Sequence, residues 1–351
     1  MRPLLAAAGS IGVACVAYGA LVERRWYRLR REALPGALRP VTPRQSGGTP
    51  GPPGQAGDTP APPGQAGDTP APPGQAGDTP APPSQAGDTP APPGPLRVLH
   101  VSDLHLSPPD EALARFVKRV ARESVDLVVA TGDLLGAARS EDATVELLAT
   151  LTADGTPGVA VLGSNDFYAP APKSPHHYLI NPRLRFLGPP LDSTRLRRGL
   201  ADSGWRVLEN ERTVLHLGPA VVEIAGLGDP HLDPQRLPAP EMIASREPEA
   251  TLRLGLVHSP YIRAVNLLAA AGYEVILAGH THGGQIRLPL FGALVTNCNL
   301  PARLARGSVR WTAPQRPDPI WLHVSGGLGQ SRYAPIRFGC RPEASLLELL
   351  R

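Results

Sequence analysis

The sequence predicts an α/β fold, a largely parallel β-sheet with helices packed outside it. Three observations carry that expectation. Past residue 96, short β-branched and apolar runs alternate with segments of helical periodicity, the order that builds βαβ units. Each of five polar signatures follows one of those runs, where open α/β sheets place their site residues. Ahead of residue 96 the composition differs. Of the 43 prolines in the 351-residue chain, 20 fall in those first 95 residues, too dense for one ordinary globular fold.

Pro3 to Val22 is an uncharged stretch of 20 residues rich in Ala, Leu, Val and Gly. A helix of that length spans about 30 Å, a bilayer core, so residues 1–22 read as a transmembrane anchor. Arg2 precedes the stretch, whereas Arg24, Arg25, Arg28, Arg30 and Arg31 follow it. The positive-inside rule therefore expects a single-pass protein of the cell membrane with its catalytic domain facing the cytoplasm. A cleaved signal would carry its basic residues first. Residues 23–95 read as a basic juxtamembrane segment and a disordered linker. Gln-Ala-Gly-Asp-Thr-Pro-Ala-Pro-Pro recurs from Gln55, Gln65, Gln75 and Gln85, with no large apolar side chain to bury and proline blocking helix and sheet ladders.

The globular domain is expected over 96–351, roughly 255 residues and enough for one α/β core. Val98 to Ser102 reads as a strand running into Asp103, and Ala112 to Arg122 as a helix. Leu127 to Ala130 runs into Gly132-Asp133, Glu141 to Leu151 is helical, and Gly158 to Leu162 leads to Asn165. Phe167 to Pro190, with its prolines and His176-His177, reads as a loop over the site. A helix near Ser193 to Ser203 and strands near Val214 to Leu217 and Ala220 to Ala225 follow. Leu252 to Val257 then runs into His258, Ile262 to Ala271 is helical, and Glu274 to Ala278 runs into His280. Short strands close the chain at Trp321 to Val324 and Ser345 to Leu349.

The signatures are Asp103-Leu104-His105, Gly132-Asp133, Gly163-Ser164-Asn165-Asp166, His258 and Gly279-His280-Thr281-His282. They supply four histidines, two carboxylates and one amide, the ligand set of a two-metal hydrolase. Imidazole and carboxylate suit zinc, manganese or iron. With only two anionic ligands a metal pair stays net positive and attracts a phosphate ester. Cys15, Cys298 and Cys340 have no Cys-x-x-Cys spacing, which argues against a structural zinc site or a disulfide scaffold. A net charge of +4 without a basic, aromatic-interleaved stripe argues against a dedicated nucleic-acid module. His100, His216 and His323 read as structural histidines, His231 as a turn residue. Gly326-Gly327-Leu328-Gly329 lacks the lysine and helix of a P-loop and reads as a turn near the metals.

In this order the signatures resemble the calcineurin-like metallophosphoesterase superfamily, over about residues 97 to 350. Gly-His-Thr-His-Gly-Gly-Gln at 279–285 is the most specific part, and the membrane-associated bacterial branch similar to diacylglucosamine pyrophosphatases carries that form. The resemblance implies a four-layer sandwich, two mixed β-sheets flanked by helices. It implies one metal on Asp103, His105 and His282, a second on Asn165, His258 and His280, and Asp133 bridging. Hydrolysis would proceed by in-line attack of a hydroxide shared by the two ions, with Asp166, Asn165 and His258 as catalytic residues. Many members have histidine after the asparagine, where this chain has Asp166. The leaving-group acid is then Asp166 if burial raises its pKa, or His176, His177 or His231, or none, as a pyrophosphate would allow. The expected substrate is a phosphoester or pyrophosphate, lipid-linked ones included. The alternatives are a phosphodiesterase of soluble nucleotides or nucleic-acid ends, and a weakly active metal-binding scaffold.

Overall fold

The computed structural model describes residues 2–40, 94–172, 187–233, 237–288 and 290–351, with side chains from residue 12 onward. Strands in chain order are β1 (Arg28–Leu34), β2 (Leu96–Val101), β3 (Leu127–Thr131), β4 (Gly158–Val161), β5 (Tyr168–Pro170), β6 (Leu187–Pro190), β7 (Trp205–Val207), β8 (Glu211–Leu217), β9 (Ala220–Gly226), β10 (Leu252–Val257), β11 (Val275–Ala278), β12 (Arg287–Leu288), β13 (Gly292–Ala293), β14 (Gly307–Trp311), β15 (Ile320–Val324) and β16 (Glu343–Leu349). Helices are α1 (Arg2–Leu21), α2 (Glu111–Val120), α3 (Glu141–Ala149), α4 (Ser164–Phe167), α5 (Ser193–Asp202), α6 (Pro240–Ile243) and α7 (Ile262–Ala270).

Two six-stranded sheets form, in the orders β1-β16-β2-β3-β4-β7 and β14-β15-β11-β10-β9-β8. β2, β3, β4 and β7 run parallel, as do β9, β10, β11 and β15. Antiparallel partners β16, β14 and β8 make both sheets mixed. Period-two alternation decides which face each residue takes. Val98, Leu127, Val129, Val159 and Val161 of the first sheet meet Val222, Ile224, Leu254, Leu256 and Leu277 of the second in one buried cluster. Leu99, Val101, Val128 and Ala130 face outward onto Leu113, Phe116, Leu148, Leu196 and Leu200 of α2, α3 and α5. On the far side α7 places Val265 and Leu268 against Ile276 and Ala278. α2 begins where Asp110 accepts from the Leu113 amide, and α5 where Asp192 accepts from Arg195, both N-cap geometries.

The domain boundary expected at residue 96 needs correction. β1 pairs in parallel with β16 along its whole length, from Arg28 opposite Glu343 to Leu34 opposite Leu349. The compact unit comprises residues 1–41 and 93–351, with 42–92 a unit of its own. The proline-rich repeat is thus an excursion between two strands of one sheet and not a tether ahead of the domain. Its expected disorder lies outside the described residues. Sequence reading missed β1 because arginines dominate it. Their charges are met across the fold: Arg28 binds the buried Glu343 at 2.6 Å, Arg31 binds Glu123 at 2.8 Å, and Arg30 lies between Glu32 and Glu343.

Among the described residues no helix is long and apolar enough to cross a membrane, so the expected transmembrane span at 1–22 finds no support there. The end of α1 packs on the domain instead. The Arg337 amide donates to the Gly19 carbonyl at 3.2 Å, and the Tyr18 ring meets Phe338 edge-on.

Candidate metal centre

All five signatures converge at the carboxyl ends of parallel strands. Asp103 follows β2, Asp133 follows β3, Asn165 lies in α4 just after β4, His258 follows β10 and His280 follows β11. Asp103, His105, Asp133, His280 and His282 all have left-handed backbone, with φ between 43° and 68°. Such strain in non-glycine residues costs on the order of 1–3 kcal/mol each and collects at functional sites. Glycines allow the crowding: a Cβ on Gly163 would stand 2.4 Å from Asp133 Oδ1, and one on Gly279 would stand 1.9 Å from Ser102 Oγ.

Two buried groups result, Asp103 with His105 and His282, and Asp133 with His258 and His280, each with ligand atoms within 4.8 Å of one another. In the first, His282 Nε2 lies 3.7 Å from Asp103 Oδ1 and 3.2 Å from His105 Nε2. Asp133 faces both groups, with Oδ2 3.5 Å from His105 Nε2 and Oδ1 3.4 Å from His258 Nε2. Asn165 holds that carboxylate, its backbone N–H donating to Oδ1 at 2.8 Å and its side-chain amide to Oδ2 at 2.7 Å.

Surrounding groups orient the imidazoles, as metal ligands require. His258 Nδ1 donates to the Thr131 carbonyl at 2.6 Å, His280 Nε2 lies 3.2 Å from the Asn297 carbonyl, and His282 Nδ1 lies 3.1 Å from the Gly329 carbonyl. Asp103 accepts from Ser102 Oγ and from the His280 amide. Burial lowers the pKa of His105 to about 4 and, with neighbouring His258 or His105, lowers His280 and His282. These three rings are therefore neutral at pH 7, the form that binds metal. Burial alone would raise Asp133, but the His258 imidazole outweighs it and holds the carboxyl well below the usual range. Burial alone would lower His258, but the Asp133 carboxylate outweighs it and pushes the ring well above 6.5. His258 Nε2 is buried with no hydrogen-bond partner. Two facing imidazole nitrogens, that orphaned atom and two carboxylates form a donor set that fits two divalent ions.

Asp166, the acid expected where burial raises its pKa, follows Asn165 in α4. It is fully buried and accepts from the backbone amides of Leu134, Leu135 and Gly163 at 2.7, 3.0 and 2.9 Å. Burial first and Asp133 second raise its pKa to about 7, against those hydrogen bonds. With three backbone amides on its oxygens, the carboxyl ties the Gly132 and Gly163 loops together. His231 is more than a turn residue. Its ring centre lies 4.6 Å from that of His280, and its Nδ1 lies 2.9 Å from Tyr261 Oη. His176 and His177 lie outside the described residues.

Sequence reading missed Arg337. It is fully buried and donates to the carbonyls of Gly326 at 2.8 Å, Gly327 at 3.1 Å and Gly329 at 2.5 Å, the last being the carbonyl beside His282 Nδ1. A lone arginine in a loop carries no sequence signal for this role. The glycine turn itself lies against the site as expected, since a Cβ on Gly327 would stand 2.8 Å from that of Asp103.

An α/β sandwich with two adjoining carboxylate–imidazole groups at its strand ends defines a dinuclear metallohydrolase. Residues 96–284 match the family model described as calcineurin-like phosphoesterase, and the chain belongs to that family as a metallophosphoesterase. UDP-2,3-diacylglucosamine pyrophosphatase LpxG of Chlamydia muridarum is 30% identical, the match covering 73% of this chain and 84% of that one. Phosphodiesterase YaeI of Escherichia coli is 28% identical over 73% and 83% of the two chains. The uncharacterized metallophosphoesterase YkoQ of Bacillus subtilis is 26% identical over 72% and 83%.

Proposed function

We propose that this protein hydrolyses a pyrophosphate or phosphodiester bond, on a membrane-associated, lipid-linked substrate, with two divalent metal ions. The observation that carries the reading is the position of Asp133, whose two oxygens face His105 and His258 at 3.5 and 3.4 Å. Asp103, His105 and His282 would hold one ion, and His258, His280 and the Asn165 side chain the other, with Asp133 shared. The ions, manganese, zinc or iron, would supply Lewis acidity towards the phosphoryl oxygens and an acidified water. Asn165 holds the Asp133 carboxylate in place, and Thr131 keeps Nε2 of His258 turned to the site.

Substrate class follows from the position after Asn165. Asp166 is committed to three backbone amides, so that position presents no acid to a leaving group. A group that departs as a stable anion, such as one half of a pyrophosphate, is then favoured over an alkoxide. A relative named as a pyrophosphatase supports that class, and another named as a phosphodiesterase supports a diester as the second. Membrane attachment through Pro3 to Val22, with the domain on the cytoplasmic side, belongs to this reading. Arg24 and Arg25 support the orientation, since Arg28, Arg30 and Arg31 are engaged by protein carboxylates.

The test is hydrolysis by the full chain with Mn²⁺ of three probes: a nucleoside diphosphate sugar, an aryl phosphodiester and an aryl monoester. Metal-dependent turnover of the first two above the third, lost in Asp133→Asn, is expected. Preference for the monoester would overturn the substrate class. Failure to bind metal would overturn the mechanism.

A further inference from the structure

The metal-ligand loop continues directly into a small hairpin, β12 and β13, whose outer end is strongly apolar. Leu290 is fully exposed and Phe291 is 82% exposed, with Leu288 and Leu294 also facing solvent. Leu290 has φ of 68°, a conformation cheap for glycine or asparagine and costly for a large side chain. A turn serving only to reverse the chain has no use for leucine there. The base of the hairpin lies close to the metal ligands. Ala293 packs against Gly284, where a Cβ would stand 2.2 Å from that of Ala293, and the Asn297 carbonyl meets His280 Nε2.

This apolar end has company. Ile286 pairs with Phe338, and Phe338 packs on Tyr18 at the end of α1. α1 and the turn after it expose Val13, Val16, Leu21, Val22 and Trp26, and Arg341 stacks over the Trp26 ring at 3.9 Å. Arg287 lies in β12 itself, and the exposed Arg303 lies in the turn at 302–304 that packs on β13. Exposed apolar side chains beside arginines are the composition of an element that enters the headgroup and acyl boundary of an anionic bilayer.

We propose that the β12–β13 hairpin is a membrane-dipping element that inserts Leu290 and Phe291 into a bilayer containing anionic phospholipid. The hairpin thereby holds the metal centre at the lipid surface. The contact is separate from α1 and does not rest on the hydrolase reading, because insertion is measured without turnover.

The experiment adds one tryptophan to the four of the full chain as Phe291→Trp. Emission is read in vesicles of phosphatidylcholine and phosphatidylglycerol at 3:1, with plain or brominated acyl chains. The added signal, obtained by subtracting the parent, is expected to shift to the blue and to lose about half its intensity or more to bromine. Adding Leu290→Asp should abolish that loss, and replacing phosphatidylglycerol with phosphatidylcholine should reduce it. Arg115→Trp, at an exposed position on α2, should show no quenching. Water-like, unquenched emission at position 291, or equal quenching at 115 and 291, would overturn the proposal.

Discussion

Nδ1 of His258 donates to the carbonyl of Thr131 at 2.6 Å, and that bond settles which ring nitrogen reaches the metal centre. The same carbonyl terminates β3, the strand that delivers Asp133, so His258 and Asp133 share one anchor. Nε2 is left 3.4 Å from Asp133 Oδ1.

Replacing Asp133 by Asn keeps the shape and removes the shared charge. Turnover should fall by about 10³-fold or more, the scale seen when transition-state charge loses its partner. A readout apart from activity is the melting temperature: Mn²⁺ should raise it in the wild type, by linkage, and scarcely move it in the variant.

Arg337 joins the carbonyls of Gly326, Gly327 and Gly329. Arg337→Met would leave those buried acceptors unpaired, a loss of about 3 kcal/mol or more. Lysine should not rescue it, since an ammonium cannot reproduce the planar fork. Urea unfolding measures the loss. Mn²⁺ titration should show affinity weakened about 10- to 100-fold, the usual effect of disturbing what orients a ligand.

His323 is fully buried between Ser308 and Ser345. Burial first and Arg30 second push its pKa from 6.5 to about 3. Below pH 6.5 the unfolded chain takes up a proton that the folded chain refuses. The stability this histidine permits is therefore complete above 6.5 and is lost as the pH falls from 6.5 towards 3, by about 1.4 kcal/mol per unit for one proton. His100 shifts the same way, again through burial and then its neighbour His323. His323→Gln should flatten the slope of stability against pH between 6 and 4, measured by urea unfolding.

Truncation offers a sharp contrast. A chain beginning at residue 96 would lose β1 together with the buried Leu34, Ala37 and Leu38. At ~1.5–3 kcal/mol for each fully buried large aliphatic side chain, with Glu343 also losing Arg28, such a chain should melt far lower or aggregate. Excising residues 42–92 and joining the ends with a short glycine–serine linker should leave the melting temperature nearly unchanged. Arg39 and Gly94, described residues on either side of that segment, line one small cavity.

The ligands were legible in sequence because each follows a buried strand whose apolar run is itself a local signal, as Val98–Val101 before Asp103 and Leu252–Val257 before His258. A short motif such as Gly279-His280-Thr281-His282 also brings its backbone strain with it. Arg337, β1 and the role of Asp166 were illegible for one common reason. Each is a polar residue or segment whose meaning is set by a partner distant in the chain: Arg337 by the Gly326–Gly329 turn, Arg28 by Glu343, Asp166 by the amides of Leu134 and Leu135. The sequence by itself determined the alternation of strand and helix, the candidate metal-ligand set and the family, because periodicity and motif are local. Only the tertiary structure decided where the domain begins, which groups pair with its buried charges and which amides hold the Asp166 carboxylate, because burial and hydrogen bonding belong to positions in space.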